Sequence, residues 1–175
     1  MSIAGENQQV SSGGAMDFTD WYAAEMPRMT VAIRATVLDH ELADEAVSEA
    51  FARAWLHWRK VERMDSPRGW VYTVALNQAR TIARRTKRNL DAIVDLPTAM
   101  TYDEHPSDTD ELWRAVRRLA PQARRAIALR YIADLPEAEV ADIMGIARGT
   151  VAATLHRARK ALADSLTELQ RTEPS

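Results

Sequence analysis

The chain contains no cysteine. Disulfides, thiolate metal sites and a thiol nucleophile are therefore excluded. Glycine and proline are few, six and seven in 175 residues, and together with long three- and four-residue apolar periods this favours an all-α chain. No apolar run approaches the ~20 residues that a membrane span needs, and no charged-then-apolar leader is present. The expectation is a soluble, cytoplasmic protein. The four histidines (His40, His57, His105, His156) lack a metal-binding spacing, and neither a GxxxxGK nor a GxGxxG loop occurs. Paired carboxylates such as Asp44 and Glu45 follow one another along a helix instead of converging on a pocket. No enzyme activity, cofactor, metal or small-molecule substrate is expected. Lysine is nearly missing too: only Lys60, Lys87 and Lys160 stand among 23 bases. A GC-rich genome explains that bias as readily as nucleic-acid binding does.

What is present is segregated charge. The net charge is −2, but residues 17–90 hold 12 bases against 10 acids, residues 91–111 hold seven acids and no base, and residues 112–175 hold 11 bases against seven acids. Two basic modules thus flank an acidic connector, a sign asymmetry that an overall charge conceals.

Residues 1–16 (MSIAGENQQVSSGGAM) are polar and aperiodic, and read as a disordered tail; Met1 and Met16 are both candidate starts. Residues 17–38 read as a first helix, capped by Asp17 or Thr19, with a kink or break expected at Pro27. Residues 41–60 read as a second helix whose apolar face carries Leu42, Val47, Phe51, Ala54, Trp55 and Trp58. Its polar face carries Asp44, Glu45, Ser48, Glu49 and Arg53. Glu49 and Arg53 form an i,i+4 pair in the favourable order. Solvation alone also explains such a face. Residues 65–88 read as a third helix, capped by Asp65 or Ser66 with Pro67 in its first turn. It ends in Arg80, Arg84, Arg85, Lys87 and Arg88. With Trp70 and Tyr72 taken as exposed, this is the composition that stacks on and holds a single strand; the plainer reading makes Trp70 core and the arginines solubilising. Residues 91–110 form the acidic linker.

The C-terminal block, 111–169, reads as a four-helix unit followed by a short tail, 170–175. Its most informative stretch is LPEAEVADIMGIARGTVAATLHRARKAL (Leu135–Leu162). A first helix over about 136–144 is broken at Gly145, which suits a positive φ, and a second starts at about Arg148. Ala141 is small where the helices cross, and Val151, Leu155 and Leu162 pack inward. Arg148, Thr150, Thr154, Arg157, Arg159 and Lys160 form the opposite face. Two short helices at a steep angle, the second basic, match a helix-turn-helix reading the DNA major groove. An ordinary helical hairpin with a solvated basic face is the plainer alternative.

With both modules in view the chain resembles a bacterial sigma factor of the extracytoplasmic-function type. The C-terminal motif carries RGTV followed by LHRAR; the N-terminal match is ADEAVSEAFARAW (Ala43–Trp55) and then SPRGWVYTVALNQARTIARR (Ser66–Arg85). The resemblance implies two small helical domains: region 2 over 17–90 and region 4 over 111–169. It implies partnership with core RNA polymerase and promoter DNA, and a probable anti-sigma factor. Asp44, Glu45, Ser48, Glu49 and Arg53 would face the polymerase clamp. Trp70 and Asn77 would open and capture the −10 strand, with Arg80, Arg84 and Arg85 on its phosphates. Arg148, Gly149 and Thr150 would approach the −35 backbone, with Ala153, His156 and Arg157 toward base edges. The chain departs from the family at Ala152, Ala153 and Thr154, where a basic residue, a serine and an arginine are usual, at Ser48, where glutamine is usual, and at Ala147, a poor cap. A stand-alone helix-turn-helix regulator is the alternative; a region such as 41–88 is superfluous to one.

Overall fold

The computed structural model describes residues 16–92 and 111–172, the side chains of 87–92 and 169–172 excepted. The 1–15 tail, the bulk of the acidic linker and the extreme C terminus lie outside the described residues. Every regular element described is helical: α1 (Phe18–Val37), α2 (His40–Leu56), α3 (Trp58–Val61), α4 (Pro67–Ala92), α5 (Glu111–Arg118), α6 (Pro121–Ile127) running into a π segment (Ala128–Ile132), α7 (Glu137–Met144) and α8 (Arg148–Thr172).

The boundaries follow local chemistry. Asp17 caps α1 by accepting from the Thr19 and Asp20 amides at 3.2 and 3.4 Å. Leu38 turns into the left-handed region (φ 63°), and its amide closes on Arg34 O. Asp39 then caps α2 through the Leu42 amide at 2.9 Å. Ser66 Oγ accepts from the Gly69 amide at 3.1 Å, so Ser66 is the cap and Pro67 the first helical residue. Gly145 takes φ 66° and its amide reaches Asp142 O, while the Ile146 amide reaches Ala141 O. This is the paired closure of a left-handed helix end.

Pro27 does not break α1, contrary to the sequence expectation: the helix runs on to Val37. Pro27 lies on the exposed side, while Trp21, Glu25, Met29, Ala32 and Ile33 form an uninterrupted buried stripe. Packing of that stripe outweighs the one lost backbone bond.

α1 is the shared spine. It packs on α2 and α4 on one side, and on α5, α6 and the π segment on the other. The two helical halves consequently share one apolar cluster, from Trp21 and Phe51 through Ala75 and Leu129 to Leu155. The acidic connector suggested separate modules; the structure packs them together.

Candidate nucleic-acid and polymerase interfaces

Three faces collect the expected site residues. The first is the outer face of α2. Ala43, Ala46, Val47, Ala50, Phe51 and Ala54 point inward. Glu45 and Ser48 are exposed and Glu49 half-buried. Asp44, expected on the binding face, is half exposed and paired with Arg34 of α1, with Nε to Oδ1 at 2.8 Å and Nη2 to Oδ2 at 2.5 Å. Glu49 and Arg53 pair at 2.7 Å, and Arg53 also reaches Gln78 Oε1 on α4 at 3.3 Å. Trp55 corrects the sequence reading: it is 60% exposed and Leu56 74%. At the close of α2 they fall outside the buried stripe, and Trp55 meets Phe18 in a tilted pair, 5.0 Å between ring centres.

The second face is α4. Gly69, Val71, Tyr72, Ala75, Leu76 and Ala79 are buried. Trp70, Asn77, Arg80 and Arg84 are spaced by seven, three and four residues, which brings them to one side of the helix. Asn77, Arg80, Arg84 and Arg85 are exposed and Trp70 is half-buried. Asn77, Arg80, Ala83 and Arg84 line a shallow groove. Arg84 is steadied by its own helix, with Nε donating to Arg80 O at 3.2 Å and Nη2 to Thr81 Oγ1 at 3.4 Å.

Tyr72, expected beside Trp70 as an exposed aromatic, is fully buried. Two residues along a helix turn a side chain by about 200°, so the two cannot share a face. Its hydroxyl lies 2.8 Å from Thr36 Oγ1 on α1. Burial raises the phenol above its usual range; the bond from Thr36 and the guanidinium of Arg125 work against that rise.

The third face is α8. Val151, Thr154, Leu155 and Ala158 point into the core at helical spacing. Thr154 was assigned to the polar face and is 7% exposed. Its place on the Val151–Ala158 stripe puts it against the core, so that position cannot touch DNA and the departure from family pattern matters only at Ala152 and Ala153. Arg148, Gly149, Thr150, Ala153, His156 and Arg157 are all exposed. Arg157 Nε leans on Ala153 O at 3.3 Å. No Cβ at Gly149 would meet an atom within 4 Å, so the start of α8 is open to an approaching backbone phosphate.

Contacts between the halves escaped the sequence reading. Arg125, whose Nη2 donates to Ile143 O within the C-terminal half at 3.0 Å, also reaches across to Tyr72 on α4. Asp134 (φ 55°) stands within 3.8–3.9 Å of Arg28, Arg68 and Arg130. Arg68 also holds the buried Glu25 at 2.9 Å. The pairs of Asp134 with Arg28 and Arg68, and of Arg125 with Tyr72, join residues more than 50 positions apart, which no local periodicity signals.

Among the described residues no group of His, Asp and Glu could hold a metal ion, and no helix is long and apolar enough to cross a membrane.

A groove of Asn and Arg on α4 and an exposed basic face on α8 are the two polar surfaces on which the expected DNA contacts fall. The model for sigma-70 region 2 matches residues 21–89, and that for sigma-70 region 4 matches residues 109–162. The ECF RNA polymerase sigma factor SigL of Mycobacterium tuberculosis is 33% identical over 138 residues, covering 75% of this chain and 78% of the relative. SigW of Bacillus subtilis is 27% identical across 97% of this chain and 99% of its own length. The chain belongs to the extracytoplasmic-function sigma factors of the sigma-70 family. Two solved structures share its fold. One is the sigma factor RpoE of Bartonella quintana in complex with the anti-sigma factor NepR, with TM-score 0.67, 21% identity and coverage of 86% of this chain and 97% of that one. The other is CnrH in complex with the cytosolic domain of CnrY, with TM-score 0.57, 19% identity and 92% of both chains covered.

Proposed function

We propose that this transcription initiation factor binds core RNA polymerase in the cytoplasm and directs it to promoters with −10 and −35 elements, itself performing no catalysis. Residues 17–90 act as region 2 and residues 111–169 as region 4. The observation that carries the reading is the coexistence of two unlike DNA-facing surfaces. The α4 groove suits a single strand, since an amide at Asn77 offers a donor and an acceptor to a base edge and arginines follow along the strand's path. The α8 face suits duplex, with an open helix start for phosphate and Arg157 placed for a guanine edge.

Polymerase docking falls to the outer face of α2, through Glu45, Ser48, Glu49 and Arg53. Asp44, half exposed beside Arg34, belongs to the same docking face. Ser48 reaches less far than the glutamine usual there, which shifts weight onto the flanking charges. An anti-sigma factor is the expected regulatory partner, in keeping with the structural relative RpoE, solved with the anti-sigma factor NepR. Incubation with core polymerase tests the reading: co-elution on gel filtration supports it. High-affinity duplex binding by the chain alone, without co-elution, supports the stand-alone regulator instead.

A further inference from the structure

A cavity of about 470 Å³ lies where α1, α2 and α4 meet α6 and α7. Small-ligand sites run from roughly 300 to 1,000 Å³. Val37, Leu42, Leu76 and Met144 give this one apolar walls, and no carboxylate lines it. Its charged lining residues are Arg80 of α4 and Arg125 of α6. Elsewhere around α1 the arginines Arg28, Arg34, Arg68 and Arg130 each meet a carboxylate, whereas Arg80 and Arg125 meet none among the described residues. Arg125 is half-buried. Its Nη2 donates to Ile143 O at 3.0 Å, and it also reaches the Tyr72 hydroxyl, which burial keeps neutral. Neither contact cancels its charge. Its Nε is buried and has no hydrogen-bond partner. The Thr36 hydroxyl on the same wall is already committed, at 2.8 Å to Ala32 O and at 2.8 Å to Tyr72.

We propose that this cavity is a binding site for a small amphiphilic anion, its carboxylate or phosphate head held by the Arg80 and Arg125 guanidiniums and its apolar body laid against Val37, Leu42, Leu76 and Met144. Two uncompensated charges of one sign beside apolar walls are unfavourable, and an anionic head relieves both. The planar fork of a guanidinium matches carboxylate and phosphate alike, and an anion also gives the stranded side of Arg125 an acceptor. The sign of the lining excludes a metal ion or an amine. A bare inorganic anion would leave the apolar walls unused, whereas an apolar body gains from their burial. The ligand has a way in: Arg80 and Ala83 line both this cavity and the shallow groove of Asn77 and Arg84, so the site opens toward solvent along the exposed side of α4.

Calorimetric titration of the full chain with sodium decanoate and with 1-naphthyl phosphate, each below its self-association range, tests the site. At least one of the two should bind saturably at a single site, and the tighter of them identifies the preferred head. Decylamine, with the same apolar body and the opposite charge, should not compete. Arg80→Glu and Arg125→Met should each weaken binding by at least about tenfold, the loss of one charge-assisted hydrogen bond, with helical circular dichroism retained. Should Arg125→Met lose helix, Arg80→Glu, at an exposed position, decides alone. Absence of saturable binding of both anions overturns the proposal. So does a fall of less than tenfold in Arg80→Glu, the outcome expected if the probes only coat the exposed Trp55–Leu56 edge of α2, or competition by decylamine. Polymerase and DNA are absent from these titrations, so their result stands whether or not polymerase binding is found.

Discussion

The guanidinium of Arg34 on α1 holds the carboxylate of Asp44 on α2 through two hydrogen bonds, of 2.8 and 2.5 Å. Asp44 thus ties two helices together while its carboxylate stays half exposed at the edge of α2. Asp44→Ala should cost about 0.5–1 kcal/mol, the range of a part-exposed pair, and lower the melting temperature by roughly 2–4 °C for a chain of this size. Polymerase affinity should fall far less than in Glu45→Lys, where an exposed charge is reversed. Calorimetry and polymerase titration check the two effects separately.

Asn77→Ala should abolish strand opening while leaving polymerase binding within about twofold, because Asn77 is exposed on α4, away from the expected docking face of α2. Permanganate footprinting of the promoter measures the opening. Unchanged open-complex formation would remove Asn77 from strand capture.

Arg157→Ala should weaken discrimination at a single −35 base pair by ~1–3 kcal/mol, measured by competition between promoter variants. In the opposite sense, Ala152→Arg adds one exposed base to α8 and should steepen the salt dependence of binding by about one unit. Arg157→Ala with its base preference intact would leave the guanine contact without support.

Tyr72→Phe keeps the ring and removes the hydroxyl that meets Thr36 at 2.8 Å. A loss of about 1 kcal/mol is expected. Burial raises the phenol above its ordinary value near 10, so folding favours its neutral form. That contribution is full below pH 10 and is lost as pH climbs through the raised value. Wild type should therefore lose stability above pH 10 more steeply than Tyr72→Phe in denaturant titrations across pH 8 to 11.

Much of this architecture is legible in the sequence. The caps at Asp17 and Ser66 and the turn at Gly145 are local chemistry, and each element end that they predict lies within a few residues of the observed one. The inward stripe of α8 is legible apart from Thr154, whose hydroxyl suggested solvent where its spacing from Val151 demands the core. Trp55 misled in the opposite sense, since aromatic character suggested burial at a helix end that the core does not reach. The continuity of α1 through Pro27 and the burial of Tyr72 depend on partners far along the chain. So does the close approach of Ile143 to Gly69, which looks like an ordinary helix glycine in the sequence.

The most direct test of two DNA-facing surfaces serving one polymerase is reconstituted transcription with purified core enzyme and a library of genomic promoters. Initiation should appear only when the protein is added, and only from promoters sharing two spaced elements. No promoter-dependent initiation, together with no binding to core enzyme, would contradict it.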